Sequence, residues 1–239
     1  FNRSHPGELV YNNLIMTTEL IEAARLAKVE KFIALGTICS YPEIAPLPFH
    51  EEDLWNGYPA QPTAAHGIVQ RTVLTQLQAY RSQYDFNGIM LIPTNFYGPG
   101  DHLRPESLRL IPALIQKMLL AKKTGQSFIE MTGNSKSTLD LLYIDDAAKG
   151  IIAAAEHHDG ADPVNIGSGR EISLREITDT LCLLLDFRGE IRWLNEQSMP
   201  VRRAVDISKA KQYFEFQART GLETGLKETI AWYHTVNTL

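Results

Sequence analysis

Thr37 and Cys39 stand just past a short apolar run, Lys31 to Gly36, which ends in glycine and has the look of a buried parallel strand. In an open parallel sheet the carboxyl ends of the strands face the ligand crevice, so a hydroxyl and a thiol in that turn are placed for proton transfer. Each residue also has a plain structural reading, Cys39 as a small packed apolar side chain and Thr37 as a turn former. His66 and Gln70 are four residues apart and so share one face of a helix. An imidazole there can shuttle protons near neutral pH, or it can be a partly exposed surface group. Arg104, Arg109, Arg202 and Arg203 are candidates for clamping phosphate, because guanidinium pairs bidentately with phosphate oxygens; scattered arginines are also ordinary solvated surface.

Two stretches approach the G-x-G-x-x-G pattern that lets backbone amides reach a pyrophosphate. Gly98-Pro99-Gly100 has Leu103 where the third glycine belongs, and Gly167-Ser168-Gly169 has Ile172 there. Neither leads to an acidic residue about twenty positions on, at the end of the second strand of a βαβ unit. Both therefore read as turns that end strands, and the 239 residues hold no phosphate loop of this kind.

The elements that must position these residues follow from hydrophobic periodicity. Pro6 opens a helix whose apolar residues recur at helical spacing to about Val29. The strand Lys31–Gly36, a Pro-rich loop from Tyr41 to Thr63, a helix over Ala64–Tyr84 and a buried strand over Gly88–Pro93 come next. This alternation predicts an α/β fold with a parallel sheet. Farther on the pattern predicts a helix over Ser107–Lys123, strands over Phe128–Met131 and Leu139–Leu142, and a helix starting at Asp145 or Asp146. A strand over Val164–Gly167, a helix over Leu174–Leu185, a strand over Glu190–Leu194 and a helix over Leu222–Val236 complete it.

Composition narrows the function classes. Apolar residues make up 44% and charged residues 21% of the chain, with 16 Gly and 12 Pro, which excludes coiled coil, collagen and a disordered tail. The charge of −5 comes without a basic cluster, so there is no electrostatic footprint for nucleic acid. No apolar run has the length of a membrane span. Two cysteines, Cys39 and Cys182, make no disulfide framework and suit a reducing, cytoplasmic setting; no metal site is expected. The first residue is Phe1, in a loop leading into a helix, and the chain reads as the carboxy-terminal portion of something longer.

Five ordered motifs then carry a resemblance. Gly36-Thr37-Ile38-Cys39-Ser40-Tyr41-Pro42, Pro93-Thr94-Asn95-Phe96-Tyr97-Gly98-Pro99-Gly100-Asp101, Leu110-Ile111-Pro112-Ala113-Leu114-Ile115, Tyr143-Ile144-Asp145-Asp146-Ala147 and Val164-Asn165-Ile166-Gly167-Ser168-Gly169 resemble the extended short-chain dehydrogenase/reductases. Within that family the chain is most similar to epimerase/reductases of GDP-linked deoxyhexoses. The resemblance implies a Rossmann-type parallel sheet for NADP and a small α/β carboxy-terminal lobe for a nucleotide sugar. Residues 1–100 would be the remaining part of the Rossmann domain with 143–167 packing back on it, and 101–142 with 168–239 the lobe. The first two βαβ units would lie upstream of Phe1 or be gone.

By the same resemblance Gly36, Gln70, Pro93 and Asn95 fall at cofactor positions, and Asn95, Arg109, Lys117, Arg202 and Arg203 at substrate positions. Thr37, Cys39, His66, Gln70 and Arg109 fall at catalytic positions. The family's Tyr and Lys, spaced Y-x-x-x-K, are here His66 and Gln70; Cys39 matches the Cys of the epimerisation pair, whose His is here Arg109. A basic residue that the family places near the nucleotide is here Leu139. The expected function is a nucleotide-sugar epimerase/reductase by descent with these positions replaced. The alternative is a non-catalytic nucleotide-sugar-binding or partner subunit. A homodimer through helices 6–29 and 64–84 is also implied.

Overall fold

The computed structural model describes residues 5–103 and 109–236. Its elements in chain order are α1 (Pro6–Leu26), β1 (Phe32–Leu35), α2 (Ala64–Tyr84), β2 (Gly88–Pro93), β3 (Asn95–Tyr97), α3 (Leu110–Thr124), β4 (Phe128–Thr132), β5 (Thr138–Leu139) and β6 (Leu141–Tyr143). They continue with α4 (Ile144–His157), β7 (Val164–Ile166), β8 (Ile172–Ser173), α5 (Leu174–Leu184), β9 (Glu190–Leu194), α6 (Ser208–Phe214) and α7 (Leu222–Val236). The chain forms two compact units: Phe1–Thr94 with Ala147–Gly167 and Val205–Gln217, and Asn95–Asp146 with Ser168–Ala204 and Ala218–Leu239.

In the first unit β1, β2 and β7 make a parallel sheet in that order, with Phe32 opposite Gly88 and Leu91 opposite Val164. The expected parallel sheet is therefore present. All six residues of β2 are buried, which is why its sequence GIMLIP is an unbroken apolar run rather than an alternating one. The core below gathers Ile21 of α1, Val73, Leu74 and Leu77 of α2, and Met90 and Ile92 of β2. Helix α2 keeps the bounds its sequence predicts and stops at Asp85, which takes a left-handed conformation with φ 55°.

The loop from Tyr41 to Thr63 is held at several points along its length. Pro42 bridges Pro59, and the Glu43 amide donates to the Tyr58 carbonyl at 3.0 Å. Phe49 bridges Val205, and the buried Glu51 carboxylate accepts from the Asn165 amide at 2.8 Å. Lys209 on α6 reaches Glu52 at 2.6 Å. Helix α6 was not predicted. It has only seven residues, and Ala210 and Phe214 are the two that it buries.

The second unit pairs β3 with β6 and β4 with β9, both parallel, and β5 with β8 antiparallel. Its core is built on α3, α5 and α7 through Leu114, Ile115, Met118, Leu181 and Leu226. The single strand expected over Leu139–Leu142 is broken at Asp140 into β5 and β6. The buried Asp140 carboxylate accepts from the Ser168 amide and hydroxyl at 2.8 and 2.7 Å and from the Gly169 amide at 3.0 Å. Helix α3 starts at Leu110; the expected earlier start at Ser107 lies outside the described residues. Both glycine stretches end strands as read: β3 stops at Tyr97 and β7 at Ile166. Gly98 has φ +146°, where a side chain would be strained, and a Cβ there would stand 2.5 Å from the Ile144 side chain.

Candidate functional site

In the first unit the carboxyl end of the sheet carries Gly36 and Thr37 after β1 and Pro93 and Thr94 at the end of β2. The Gly36 amide donates to the Leu91 carbonyl at 2.7 Å, and the Thr94 amide to the Ile166 carbonyl at 3.0 Å. The chain after Thr37 makes one tight 3-10 turn, Ile38–Ser40. The Thr37 hydroxyl caps it by accepting from the Cys39 amide at 3.3 Å. Used as an acceptor, that hydroxyl still has its own proton to give to a ligand oxygen. Cys39 is a free, half-buried thiol in the same turn.

Helix α2 meets this turn at close range because residue 67 is glycine. A Cβ at Gly67 would lie 2.4 Å from the Cys39 carbonyl oxygen, so another residue there would push the two elements apart. His66 and Gln70, both half-buried, are on this first part of the helix. The Nδ1 atom of His66 is buried without a hydrogen-bond partner, and burial holds its imidazole below the ordinary histidine value. His66 is therefore neutral at neutral pH, able to accept a proton or pass one on, with no charge of its own. Thr37, Cys39, His66 and Gln70 thus lie on two elements in direct contact, with Gly36 and Pro93 at the neighbouring strand ends.

The sequence reading missed Arg71. It sits on the buried stripe of α2 with Ala64, Gly67 and Leu74, and only 7% of its surface is exposed. A charged residue in line with the apolar positions of a predicted helix was the available signal.

The second unit holds the other candidates, in separate places. Asn95 donates from its side-chain amide to the Asp140 carbonyl at 3.2 Å. Arg109 and Asp101 line a cavity of about 180 Å³ with Phe96, Tyr97, His102 and Ile144, the Arg109 Nε standing 3.8 Å from the Asp101 carboxylate. Lys117 donates to the Glu130 carbonyl. Arg202 is held bidentately by Glu171, at 2.6 Å for each bond, and its guanidinium draws the Glu171 carboxyl down to about 2. The Arg203 amide donates to the Thr138 carbonyl at 3.2 Å. Arg104 lies outside the described residues. Among the described residues no cluster could hold a metal ion, and no helix is long and apolar enough to cross a membrane.

Residues 1–167 match the NAD dependent epimerase/dehydratase family. The chain belongs to that family. Its relatives include Probable GDP-L-fucose synthase 1 of Oryza sativa, 32% identical over 237 residues that span 97% of this chain and 71% of the relative. GDP-L-fucose synthase of Sinorhizobium fredii is 34% identical over 229 residues, 95% of this chain and 73% of the relative. Among solved structures, the GDP-mannoheptose C4 reductase of Campylobacter jejuni with NADP bound superposes with a TM-score of 0.87 at 24% identity. That match covers 97% of this chain and 78% of the other. The GDP-L-fucose synthetase of Naegleria fowleri bound to NADP gives 0.86 at 22% identity, over 93% and 72% of the two chains. The fold is the Rossmann-like α/β architecture of these family members.

Proposed function

We propose that this epimerase/dehydratase-family chain binds a GDP-linked deoxyhexose, and that it descends from the GDP-L-fucose synthase type with the hydride-transfer positions replaced. The observation that carries this reading is the pair on α2, a half-buried imidazole at 66 whose pKa burial lowers and an uncharged amide at 70. In a Y-x-x-x-K pair the Lys cation favours the ionised phenol, whereas Gln70 supplies no charge to bias a proton on His66. Arg109, at the position matching a catalytic His, is a permanent cation suited to holding an anion and not to donating a proton. Thr37 and Cys39 remain as hydrogen-bonding groups for a sugar.

NADP is the proposed cofactor, on kinship with the relatives named above. Gly36, Gln70 and Pro93 of the first unit would meet it, and in its reduced form it would supply a hydride. The 239 residues contain no G-x-G-x-x-G for its pyrophosphate. The first unit is proposed as the cofactor-side body and the second as the nucleotide-sugar lobe. A second copy is the proposed partner of α1 and α2. Tyr11, Ile15 and Ile68 are exposed apolar residues on those helices, and Val10, Leu14, Ile15 and Ala65 line an apolar groove.

Two measurements test the reading. Calorimetry with GDP-L-fucose, a GDP-linked deoxyhexose, and no cofactor is expected to give heat of binding, and its absence would remove the proposal. NADPH oxidation with GDP-4-keto-6-deoxymannose is expected to show no turnover by the chain. Turnover there would show an active epimerase/reductase and remove both the replaced hydride-transfer positions and the non-catalytic alternative.

A further inference from the structure

We propose that Arg71 is a positioning residue, whose buried guanidinium sets the turn carrying Thr37 and Cys39 against the helix carrying His66 and Gln70. The proposal rests on the reading that these four residues form one site.

The Arg71 Nε–H donates to the Ser40 carbonyl at 2.8 Å and an Nη1–H to the Gly57 carbonyl at 2.8 Å. The guanidinium lies over the Trp55 ring at 5.6 Å from its centroid. No described carboxylate forms an ion pair with it, Nη2 has no hydrogen-bond partner, and burial lowers its pKa. A charge kept out of water on such terms is costly, and an apolar residue of similar volume would pack the same helix face without that cost. What an apolar residue cannot do is hold two carbonyls from two different segments at a fixed separation, which the planar fork of Arg does.

Those carbonyls bear directly on the site. Ser40 ends the 3-10 turn that starts after Thr37, so the bond to its carbonyl fixes the turn's exit. One helical turn earlier on α2, Gly67 meets the preceding carbonyl, that of Cys39, at contact distance. Two successive carbonyls of the turn are thus met by α2, one by close packing and one by a charge-assisted bond. The bond to Gly57 ties the Pro-rich loop into the same arrangement. Nothing in this depends on the identity of residues 66 and 70, so it can be measured without catalysis.

The test uses the full chain with Cys182→Ser, which leaves Cys39 as its single thiol. Arg71→Met and Arg71→Lys are compared with that parent by thermal melting, by the rate of Cys39 alkylation with iodoacetamide, and by calorimetry with GDP-L-fucose. Arg71→Met is expected to melt cooperatively, to alkylate at least about tenfold faster as the turn loosens, and to bind GDP-L-fucose at least about tenfold more weakly, the scale of one charge-assisted hydrogen bond. Arg71→Lys, able to remake one of the two bonds, is expected between the parent and Arg71→Met. A folded Arg71→Met whose alkylation rate stays within about twofold of the parent overturns the proposal, since an opening worth one such bond predicts more. If Arg71→Met does not fold, the parent itself decides: the Arg71 Nε–H must exchange slowly with water, and fast exchange overturns the proposal. Absence of GDP-L-fucose binding by the parent counts against the proposed ligand, while the alkylation comparison still decides the role of Arg71.

Discussion

Gly67→Ala sets two opposed effects against each other at one position. Alanine favours a helix interior over glycine by about 1 kcal/mol, so on propensity alone the substitution would stabilise the 21-residue helix α2. The added methyl would stand 2.4 Å from the Cys39 carbonyl oxygen, 3.1 Å from the Cys39 carbonyl carbon and 3.1 Å from the Pro59 Cβ. Two of these three atoms are backbone, in a turn already held by the Thr37 cap and by the Arg71 bond to Ser40, so they cannot swing aside as a side chain would. Forcing a methyl into a packed contact of this kind costs roughly 1–3 kcal/mol, and here the need to shift backbone places it at the upper end. The net expectation is a loss of about 1–2 kcal/mol. With a urea slope of about 2 kcal/mol/M this lowers the unfolding midpoint by about 0.5–1 M. Gly7→Ala is the control: a Cβ at Gly7, near the start of α1, meets nothing within 4 Å, and its midpoint should stay level or rise. A Gly67→Ala chain at least as stable as the parent would refute the reasoning, because helix propensity would then outweigh the contact.

Other perturbations follow from the same structure. Arg202→Met should raise the Glu171 carboxyl from about 2 toward the ordinary value of 4.5, read by NMR titration; a midpoint that stays put would deny that Arg202 is the cause. Because this carboxyl is depressed in the folded state, its contribution to stability is present above about pH 4.5 and is lost as pH falls toward about 2. His158 is buried, stacked on Tyr213 at 5.3 Å, with Nε2 unpartnered, and burial lowers its pKa from 6.5, helped by Lys31 and Arg81 and opposed by the Asp162 backbone and Asp159. The unfolded chain therefore takes up this proton at higher pH than the folded one, so stability falls as pH drops below about 6.5. His158→Phe, which keeps an aromatic stack, should flatten that part of the profile, and an unchanged slope in urea unfolding would contradict it. Asp140→Ala removes the acceptor of three hydrogen bonds and should cost roughly 2–4 kcal/mol in the same assay; a loss below about 1 kcal/mol would show that the turn at Ser168 is satisfied in another way.

Elements that declare themselves by periodicity were legible from the chain alone. Helices α2 and α7 and strands β2 and β9 have the bounds the sequence predicts, because each carries its pattern without help from elsewhere. What escaped depends on partners far along the chain. The break at Asp140 is set by donors 28 and 29 positions later. Helix α6 is too short to show a period and is secured by Phe214 and by Lys209 reaching Glu52. Arg71 was invisible for a different reason: polarity argued for the surface, and only the two carbonyls it meets explain its burial.

The candidate site divides along the same line. Residue types, and the helix face that His66 and Gln70 share, followed from local spacing, but the contact between the turn and α2 and the state of each charge did not. Arg202 shows the consequence. As a sequence feature it is a cation free to clamp a phosphate, whereas in the fold both arms of its guanidinium are bonded to Glu171. A diphosphate arriving there exchanges one bidentate anion for another, and its gain is the difference between two charge-assisted pairs rather than the whole of one. Arg109 is engaged more loosely, 3.8 Å from the Asp101 carboxylate, beyond normal hydrogen-bond length. Of the two, Arg109 therefore gives up less on meeting an anionic ligand, and a ligand's phosphate should depend more on it than on Arg202.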